Sequence, residues 1–344
     1  MPWTRLPADG VGTGEPCGGE QGRRLSYRDA IREGLDQALE LDPRVFLMGE
    51  GIDDPGGVFG STLGLAQKYG RGRVMDTPLA ENGMTGVAVG AAMTGMRPVL
   101  IHMRVDFLPM AMDQMINHLA KWRYMTGGRC SVPLTVRAII GRGWGSAAQH
   151  SQSLQSLFAH IPGLTVVMPA TPHDAKGMLL ESVASGEPTL MIEHRWLYDR
   201  MGLVPEEPYR VPAGIGAVRR TGTEVTLVGL SLAVHDLLLA AEQLATEGIS
   251  AEVLDLRSVR PLDEAMIVAS VRKTGRLVIM DLGWKRCGVS AEVAAVVAEQ
   301  AFDALRSPVR RLCFAECPTP AAAPLENAFY PGVSDVVACV KGLL

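Results

Sequence analysis

Three features that would each define a protein class are missing from this sequence of 344 residues. Its six cysteines are sparse and contain no C-x-x-C pair, so we predict neither a disulfide scaffold nor a zinc site. Lysine and arginine total 33 against 37 aspartate and glutamate, without a long block of either sign, which argues against nucleic-acid binding. The most apolar uncharged run, 83–96, is shorter than the roughly 20 residues of a membrane span. The first residues also lack a basic start followed by an apolar stretch, so we expect a cytoplasmic protein with reduced thiols.

The motifs of common nucleotide-binding and hydrolytic enzymes are missing as well. No G-x-x-x-x-G-K-[ST], H-E-x-x-H or G-x-S-x-G sequence occurs. The segment GRGWGS, 141–146, has Ser146 where a dinucleotide-binding loop needs its third glycine. A P-loop, a zinc peptidase, an α/β-hydrolase and a Rossmann dinucleotide site are therefore not predicted.

What the sequence does contain is an alternation of β-rich runs and helical stretches. Residues 1–24 are rich in glycine and proline without apolar periodicity, which predicts a flexible tail. Ile31, Leu35 and Leu39 then recur at helical spacing after Ser26, the predicted N-cap. Strands are predicted at 45–48, 73–77, 98–103, 133–140, 164–169 and 189–194, with helices at 83–95, 109–125, 151–160 and 172–185.

A second alternating unit follows a proline-rich, aperiodic stretch at 197–212, which predicts a linker. Its predicted strands are 224–230, 251–256, 276–282 and 309–315, with helices to about 247, from about 263, at 288–304 and from about 333. Most strands are continuously apolar, as in parallel sheets that are buried on both faces. We therefore predict an α/β protein with two doubly wound domains.

Three polar residues are unusual for such a scaffold. Glu81 precedes a helix of mostly small and apolar residues, where poor solvation would raise its pKa and allow proton exchange near neutral pH; equally, it could cap that helix. His150 lies in a loop of small residues after a buried strand, where α/β proteins place polar chemistry; otherwise it caps a helix with Ser151. Glu50 lies between two glycines and is either a site residue or a solvated turn residue.

Several long segments resemble the beta subunit of the thiamine-diphosphate-dependent 2-oxo acid dehydrogenases. This group belongs to the transketolase superfamily and includes pyruvate, branched-chain and acetoin dehydrogenases. The segments are LMGEGI, RVMDTPLAENGMTGVAVGAAMTGMRP, AMDQMINHLAKWRYMTGG, AAQHSQSLQSLFAHIPGLTVVMPATPHDAKG and VLDLRSVRPLD. The resemblance covers about residues 25–344. It implies a pyrimidine-binding domain at 25–200 and a transketolase C-terminal domain at 201–344.

The resemblance also implies roles for individual residues. Glu81 corresponds to the glutamate that hydrogen-bonds the aminopyrimidine ring of thiamine diphosphate and promotes its proton transfer. His150 corresponds to an active-site histidine that positions substrate and the lipoyl group and assists proton transfer during reductive acylation. Phe107 corresponds to an aromatic residue that packs on the pyrimidine, and Glu50 to an acidic residue near the cofactor.

One half of the family's cofactor site is missing. Relatives in the superfamily hold the diphosphate and Mg²⁺ with a G-D-G motif and a later asparagine, but this chain has no GDG and only three asparagines. The resemblance therefore implies that no metal ligand lies in this chain and that a separate alpha subunit supplies that half. The expected assembly has two alpha and two beta chains, and the second domain is expected to dock on a lipoyl-bearing acyltransferase core.

The substrate and acceptor stay open at the level of sequence. Asp106 of the triplet Val105–Asp106–Phe107 places an acid where pyruvate-type members have an asparagine, which puts pyruvate itself in doubt. The main hypothesis is that the enzyme decarboxylates a 2-oxo acid and transfers the acyl group to a lipoyl arm. A two-component transketolase or acyloin synthase is one alternative, and a scaffold subunit without catalytic activity is the other.

Overall fold

The computed structural model describes Trp3, Leu6, residues 22–143 and residues 145–344. Most of the predicted flexible tail, 1–24, therefore lies outside the described residues. Trp3 is buried, however, and its indole Nε1 donates a hydrogen bond to Asp42 Oδ2 at 2.8 Å. This tryptophan is thus attached to the folded protein.

Helices and strands alternate along the described chain. The strands are β1 (Arg24–Ser26), β2 (Val45–Gly49), β3 (Val74–Asp76), β4 (Arg97–His102), β5 (Thr135–Ile140), β6 (Thr165–Val167), β7 (Thr189–His194), β8 (Met201–Leu203), β9 (Ala217–Arg220), β10 (Val225–Gly229), β11 (Ala251–Asp255), β12 (Ser258–Arg260), β13 (Leu277–Trp284) and β14 (Arg310–Phe314). The α-helices are α1 (Tyr27–Leu41), α2 (Leu65–Tyr69), α3 (Glu81–Met93), α4 (Trp122–Met125), α5 (Ala147–His150), α6 (Gln155–Ala159), α7 (Pro172–Ala184), α8 (Leu232–Thr246), α9 (Glu264–Thr274), α10 (Val289–Gln300), α11 (Ala323–Phe329) and α12 (Val333–Lys341). Shorter 3-10 helices are Val105–Ala111, Arg195–Leu197 and Phe302–Ala304, and a π-helix is formed by Asp113–Leu119.

A seven-stranded sheet forms the centre of the first half of the chain. Its strand order is β12-β6-β7-β5-β4-β2-β3, and all neighbours are parallel except β12, which runs antiparallel to β6. On one face α1 packs against α7, and Ile31 shares a buried cluster with Ile101. On the other face α3 packs on β4, and Ala88 shares a second cluster with Leu100. Both faces are thus covered, as the continuously apolar strands predict.

A second sheet lies in the C-terminal half, with the strand order β14-β13-β10-β11-β9. Its pairs are parallel except for β9 against β11. The predicted α/β class with two mainly parallel, doubly wound units is confirmed. The two halves are nevertheless joined, because β12 comes from the second half of the chain and completes the first sheet.

Three predictions of local structure were wrong in detail. The helix predicted at 109–125 is divided into the end of a 3-10 helix that begins at Val105 and contains Pro109, a π-helix and the short α4. Of the helix predicted at 151–160 only α6 forms, and irregular chain at 151–154 separates it from α5. The predicted linker contains β8, which pairs antiparallel with β1, because tertiary contact supplies the hydrogen-bonding partner that local sequence does not show.

Two further structural findings bear on the sequence predictions, one on membrane spans and one on the start of α1. Within the described residues, no helix is long and apolar enough to cross a membrane. The predicted N-cap of α1 is confirmed, since Ser26 Oγ accepts a hydrogen bond from the Asp29 backbone N–H at 3.2 Å.

Candidate active site

All four residues singled out in the sequence follow strands that are neighbours in the first sheet. The order β5-β4-β2-β3 is parallel throughout, so the carboxyl ends of these four strands form one continuous edge. Beyond this edge lie Phe107 after β4, His150 after β5, Glu50 after β2 and Glu81 after β3. Open α/β sheets bind their ligands at this edge. The topology therefore brings together residues that are up to 100 positions apart.

Glu50 and Glu81 form an acidic pair at this edge. Glu81 is the first residue of α3 and is only 7% exposed. Burial raises the pKa of the Glu50 carboxyl, and the nearby charges of Glu81 and Asp76 raise it further. Among the described residues none donates a hydrogen bond to the Glu81 carboxylate. A largely buried carboxylate that no protein group satisfies favours a ligand that supplies a hydrogen-bond donor.

The backbone beside this acidic pair is closely packed. A Cβ placed on Gly49 would lie 2.3 Å from the Ile101 carbonyl oxygen, so only glycine fits between β2 and β4 just before Glu50. The Gly51 N–H on the other side donates to Asp76 Oδ1 at 2.6 Å. The two glycines that flank Glu50 thus fix the main chain of this turn by close packing and by a hydrogen bond.

Phe107 and His150 contact each other directly. Their ring centroids are 5.5 Å apart and their planes lie at 85°, an edge-to-face arrangement that aromatic rings prefer. Phe107 is half-buried in the 3-10 helix after β4, whereas His150 is exposed at the end of α5. The site therefore presents an apolar ring and an accessible imidazole side by side.

Asp106 holds the chain just beyond His150. Its Oδ1 accepts a hydrogen bond from the Gln152 backbone N–H at 3.1 Å, while its Oδ2 is buried and has no hydrogen-bond partner in the described chain. Burial raises the pKa of the Asp106 carboxyl. The sequence pointed to this acid only as a departure from pyruvate-type members, and its contact with Gln152 was not predicted.

His102 was missed by the sequence reasoning, although it ends the apolar run of β4 at the same edge. Burial lowers the pKa of His102 to about 4, so its imidazole is neutral at pH 7. Its Nε2 is buried without a hydrogen-bond partner among the described residues. The signal that could have found it is a histidine that ends a buried strand beside Phe107 and Glu50.

The described residues fit an organic ligand better than a metal ion. No group of three or more His, Cys, Asp or Glu side chains is positioned to hold a metal in the part of the chain that the structure covers. The buried Glu81 carboxylate can accept from a ring N–H, and the half-buried Phe107 offers an apolar surface for a flat ring. An acceptor carboxylate beside an apolar ring surface suits a pyrimidine ring.

Comparison with known proteins identifies first the class and then the family. Residues 23–200 match the transketolase pyrimidine-binding domain and residues 214–336 match the transketolase C-terminal domain. A solved chain described as a split gene transketolase, inactive beta4 tetramer, superposes with a TM-score of 0.76 over 93% of this chain and 98% of that chain. Since the two are only 23% identical, this likeness shows the fold alone. The chain is thus a two-domain protein of the transketolase type.

Curated relatives narrow the class. The beta subunit of acetoin:2,6-dichlorophenolindophenol oxidoreductase from Cupriavidus necator is 43% identical over 93% of this chain and 97% of its own length. The mitochondrial pyruvate dehydrogenase E1 component subunit beta-1 of Arabidopsis thaliana is 42% identical over 93% and 89%, respectively. The 2-oxoisovalerate dehydrogenase subunit beta of Bacillus subtilis is 41% identical over 93% and 98%. The chain belongs to this family of dehydrogenase beta subunits, and the resemblance drawn from its motifs is confirmed.

Proposed function

We propose that this chain is the catalytic beta subunit of a two-component thiamine-diphosphate enzyme. The pair would oxidatively decarboxylate a 2-oxo acid and transfer the acyl group to a lipoyl arm. The observation that carries the proposal is the buried Glu81 carboxylate, which no described residue satisfies, at the same sheet edge as the Phe107–His150 pair. Thiamine diphosphate, when bound, supplies the electron sink for cleaving a bond next to a carbonyl group.

Each residue has a distinct proposed role. Glu81 accepts a hydrogen bond from the pyrimidine ring and assists proton transfer at that ring. Phe107 packs on that ring, and Glu50 is an acidic residue near the cofactor. His150, exposed at the edge, orients the substrate and the incoming lipoyl group and moves a proton at its imidazole.

The alpha subunit is the partner we propose for the other half of the site. This chain has no GDG motif and only three asparagines, so the diphosphate and Mg²⁺ would be held by the alpha chain. The assembly would contain two alpha and two beta chains. We assign residues 25–200 to pyrimidine binding and residues 201–344 to the C-terminal domain, which would dock on a lipoyl-bearing acyltransferase core.

The compartment we propose is the cytoplasm. Its glutathione and thioredoxin systems keep thiols reduced. The five cysteines within the described chain carry free thiols, which fits such a compartment.

The test is turnover by the reconstituted alpha and beta pair with a panel of 2-oxo acids, offered either lipoamide or an aldehyde as acceptor. Glu81→Gln keeps the shape but removes the exchangeable proton, so we expect a loss of about 10²- to 10⁴-fold in kcat. Glu299→Gln, the same change on the exposed face of α10, serves as the matched control and should behave like the wild type.

Two outcomes would contradict the proposal. Unchanged turnover in Glu81→Gln would remove Glu81 from the reaction. Products formed with aldehydes but not with lipoamide would identify a carboligase instead. Thiamine diphosphate titrated onto the pair, followed by fluorescence, tests a scaffold role, since a scaffold would not bind it.

A further inference from the structure

The chain segment that carries His150 is contacted by the second domain at its first residues. This segment leaves β5 and ends just after α5; its described residues are 141–143 and 145–151, and we call it the His150 loop. The Gly143 backbone N–H donates a hydrogen bond to Glu326 Oε1 at 2.8 Å. Glu326 lies on α11, 183 residues further along the chain, and is only 7% exposed. A buried carboxylate of the second domain therefore holds the main chain of this loop.

A second contact fixes the neighbouring residue. The Arg142 guanidinium lies over the ring of Tyr330 at 4.1 Å and over the ring of Trp196 at 4.5 Å, so it is enclosed between two aromatic side chains. Trp196 Nε1 also donates to the Arg142 carbonyl at 2.9 Å. Cation–π contacts of this kind stabilise most when the cation is removed from water, and Arg142 is half-buried.

Tyr330 also lies near the far end of the loop. Its hydroxyl is close to the buried hydroxyl groups of Ser151 and Thr319, although none of the three has a hydrogen-bond partner among the described residues. Ser151 directly follows His150. The segment 326–330 of the second domain thus contacts the start of the His150 loop at Arg142 and Gly143 and lies near its end, whereas Phe107 contacts His150 from the first domain.

We infer that Glu326 and Tyr330 are positioning residues that set the place of His150 from the second domain. Glu326 contacts the Gly143 N–H and Tyr330 contacts Arg142, so their effect on His150 passes through the main chain of the loop. Removing the Glu326 carboxylate leaves the half-buried Gly143 N–H without its acceptor and loosens the loop. The catalytic consequence rests on the role proposed above for His150; the structural consequence does not.

The first test measures amide hydrogen exchange of the His150 loop in the reconstituted alpha and beta pair. Glu326→Ala should speed exchange at Gly143 and across 141–151 by about tenfold, as expected for the loss of one buried hydrogen bond. Glu326→Gln keeps an acceptor oxygen and should stay within about threefold of the wild type. Tyr330→Leu, which removes the ring over Arg142, should also speed exchange. Glu316→Gln, an exposed glutamate ten residues earlier, is the matched control and should change nothing.

The second test compares two electron acceptors. If Glu326 positions His150 for the lipoyl group, Glu326→Ala should lower kcat/KM for lipoamide about tenfold and change the reduction of 2,6-dichlorophenolindophenol less than twofold. Unchanged exchange in Glu326→Ala, a glutamine variant as fast as the alanine variant, or equal losses with both acceptors would each overturn the inference. If the wild-type pair has no turnover at all, the proposed function fails, and the exchange measurement still decides the role of Glu326.

Discussion

Gly163 shows how one residue can limit the fold. It lies just before β6 with φ +96°, and a Cβ at this position would be 1.9 Å from the Ala120 carbonyl oxygen. Any other residue would have to move the main chain after the π-helix away from the sheet. The residue type at position 163 is therefore restricted both by the left-handed backbone angle and by the close contact with Ala120.

We expect Gly163→Ala to lower the free energy of unfolding by about 3 kcal/mol or more, because overpacking adds to the left-handed strain. Gly128→Ala is the matched control, since Gly128 has φ +77° but open space around its Cβ position. It should cost only about 1 kcal/mol. Urea denaturation followed by circular dichroism measures both, and equal costs would show that the contact with Ala120 is unimportant.

The site residues show how far single residues could be recognised from sequence. From the sequence alone, Glu81 could be either a proton-exchanging site residue or a helix cap. The structure places it as the buried first residue of α3, close to Glu50. His102 and Glu326 gave no sequence signal that we used. Their burial and partners depend on chain segments far away, which no local pattern contains.

At the scale of elements, α1 is the clearest case of local sequence deciding structure. Its N-cap and its apolar spacing were both predicted, and Ser26 Oγ accepts the Asp29 N–H. The stretch 109–125 is the opposite case, since its apolar spacing predicts one helix and the structure contains parts of a 3-10 helix, a π-helix and an α-helix. Local periodicity does not distinguish these three hydrogen-bond patterns, because their repeats are similar over short stretches.

Ser26→Ala should lower the free energy of unfolding by about 1 kcal/mol, because the Asp29 N–H at the start of α1 loses its acceptor. Ser334→Ala, the same change at an exposed position in the first turn of α12, should be close to neutral, since Ser334 is not the N-cap of that helix. Thermal and urea unfolding compare the two variants. A cost for Ser334→Ala equal to that for Ser26→Ala would exclude a capping role.

At the scale of the whole molecule, a buried ionic network ties the two halves together. Asp174, at the start of α7, pairs with Arg219 of β9 and, at 2.7 Å, with Arg257 beyond β11. Arg219 also pairs with Asp255 at 2.7 Å. All four are at least nine-tenths removed from solvent. Despite burial, which alone would raise it, the charges of Arg219 and Arg257 and the neighbouring His173 hold the pKa of Asp174 far below its usual range.

Asp174→Asn should therefore lower the free energy of unfolding at pH 7 by about 3 kcal/mol, because the buried Arg257 guanidinium loses its counter-charge and Arg219 keeps only Asp255. The native carboxylate has the lower pKa, so its contribution is complete above the unfolded value of about 4 and is lost as the pH falls. The difference from the wild type should shrink by about 1.4 kcal/mol for each pH unit below 4.

Urea denaturation at pH 7, 4 and 3 measures this dependence. Asp303→Asn is the control, since Asp303 pairs with Arg272 at the surface, and it should leave the transition unchanged. A difference between Asp174→Asn and the wild type that stays constant from pH 7 to pH 3 would contradict the assignment.

The sequence alone determined the α/β class, the two units, most strands and the family, because apolar periodicity, capping residues and long motifs are local properties of the chain. Tertiary structure decided the rest. It placed β12 in the first sheet, paired β1 with β8, gathered Glu50, Glu81, Phe107 and His150 along one edge, and brought Glu326 to the His150 loop. These contacts join residues that are far apart in the chain. They depend on the order of the strands in the sheets, which the local spacing of apolar residues does not determine.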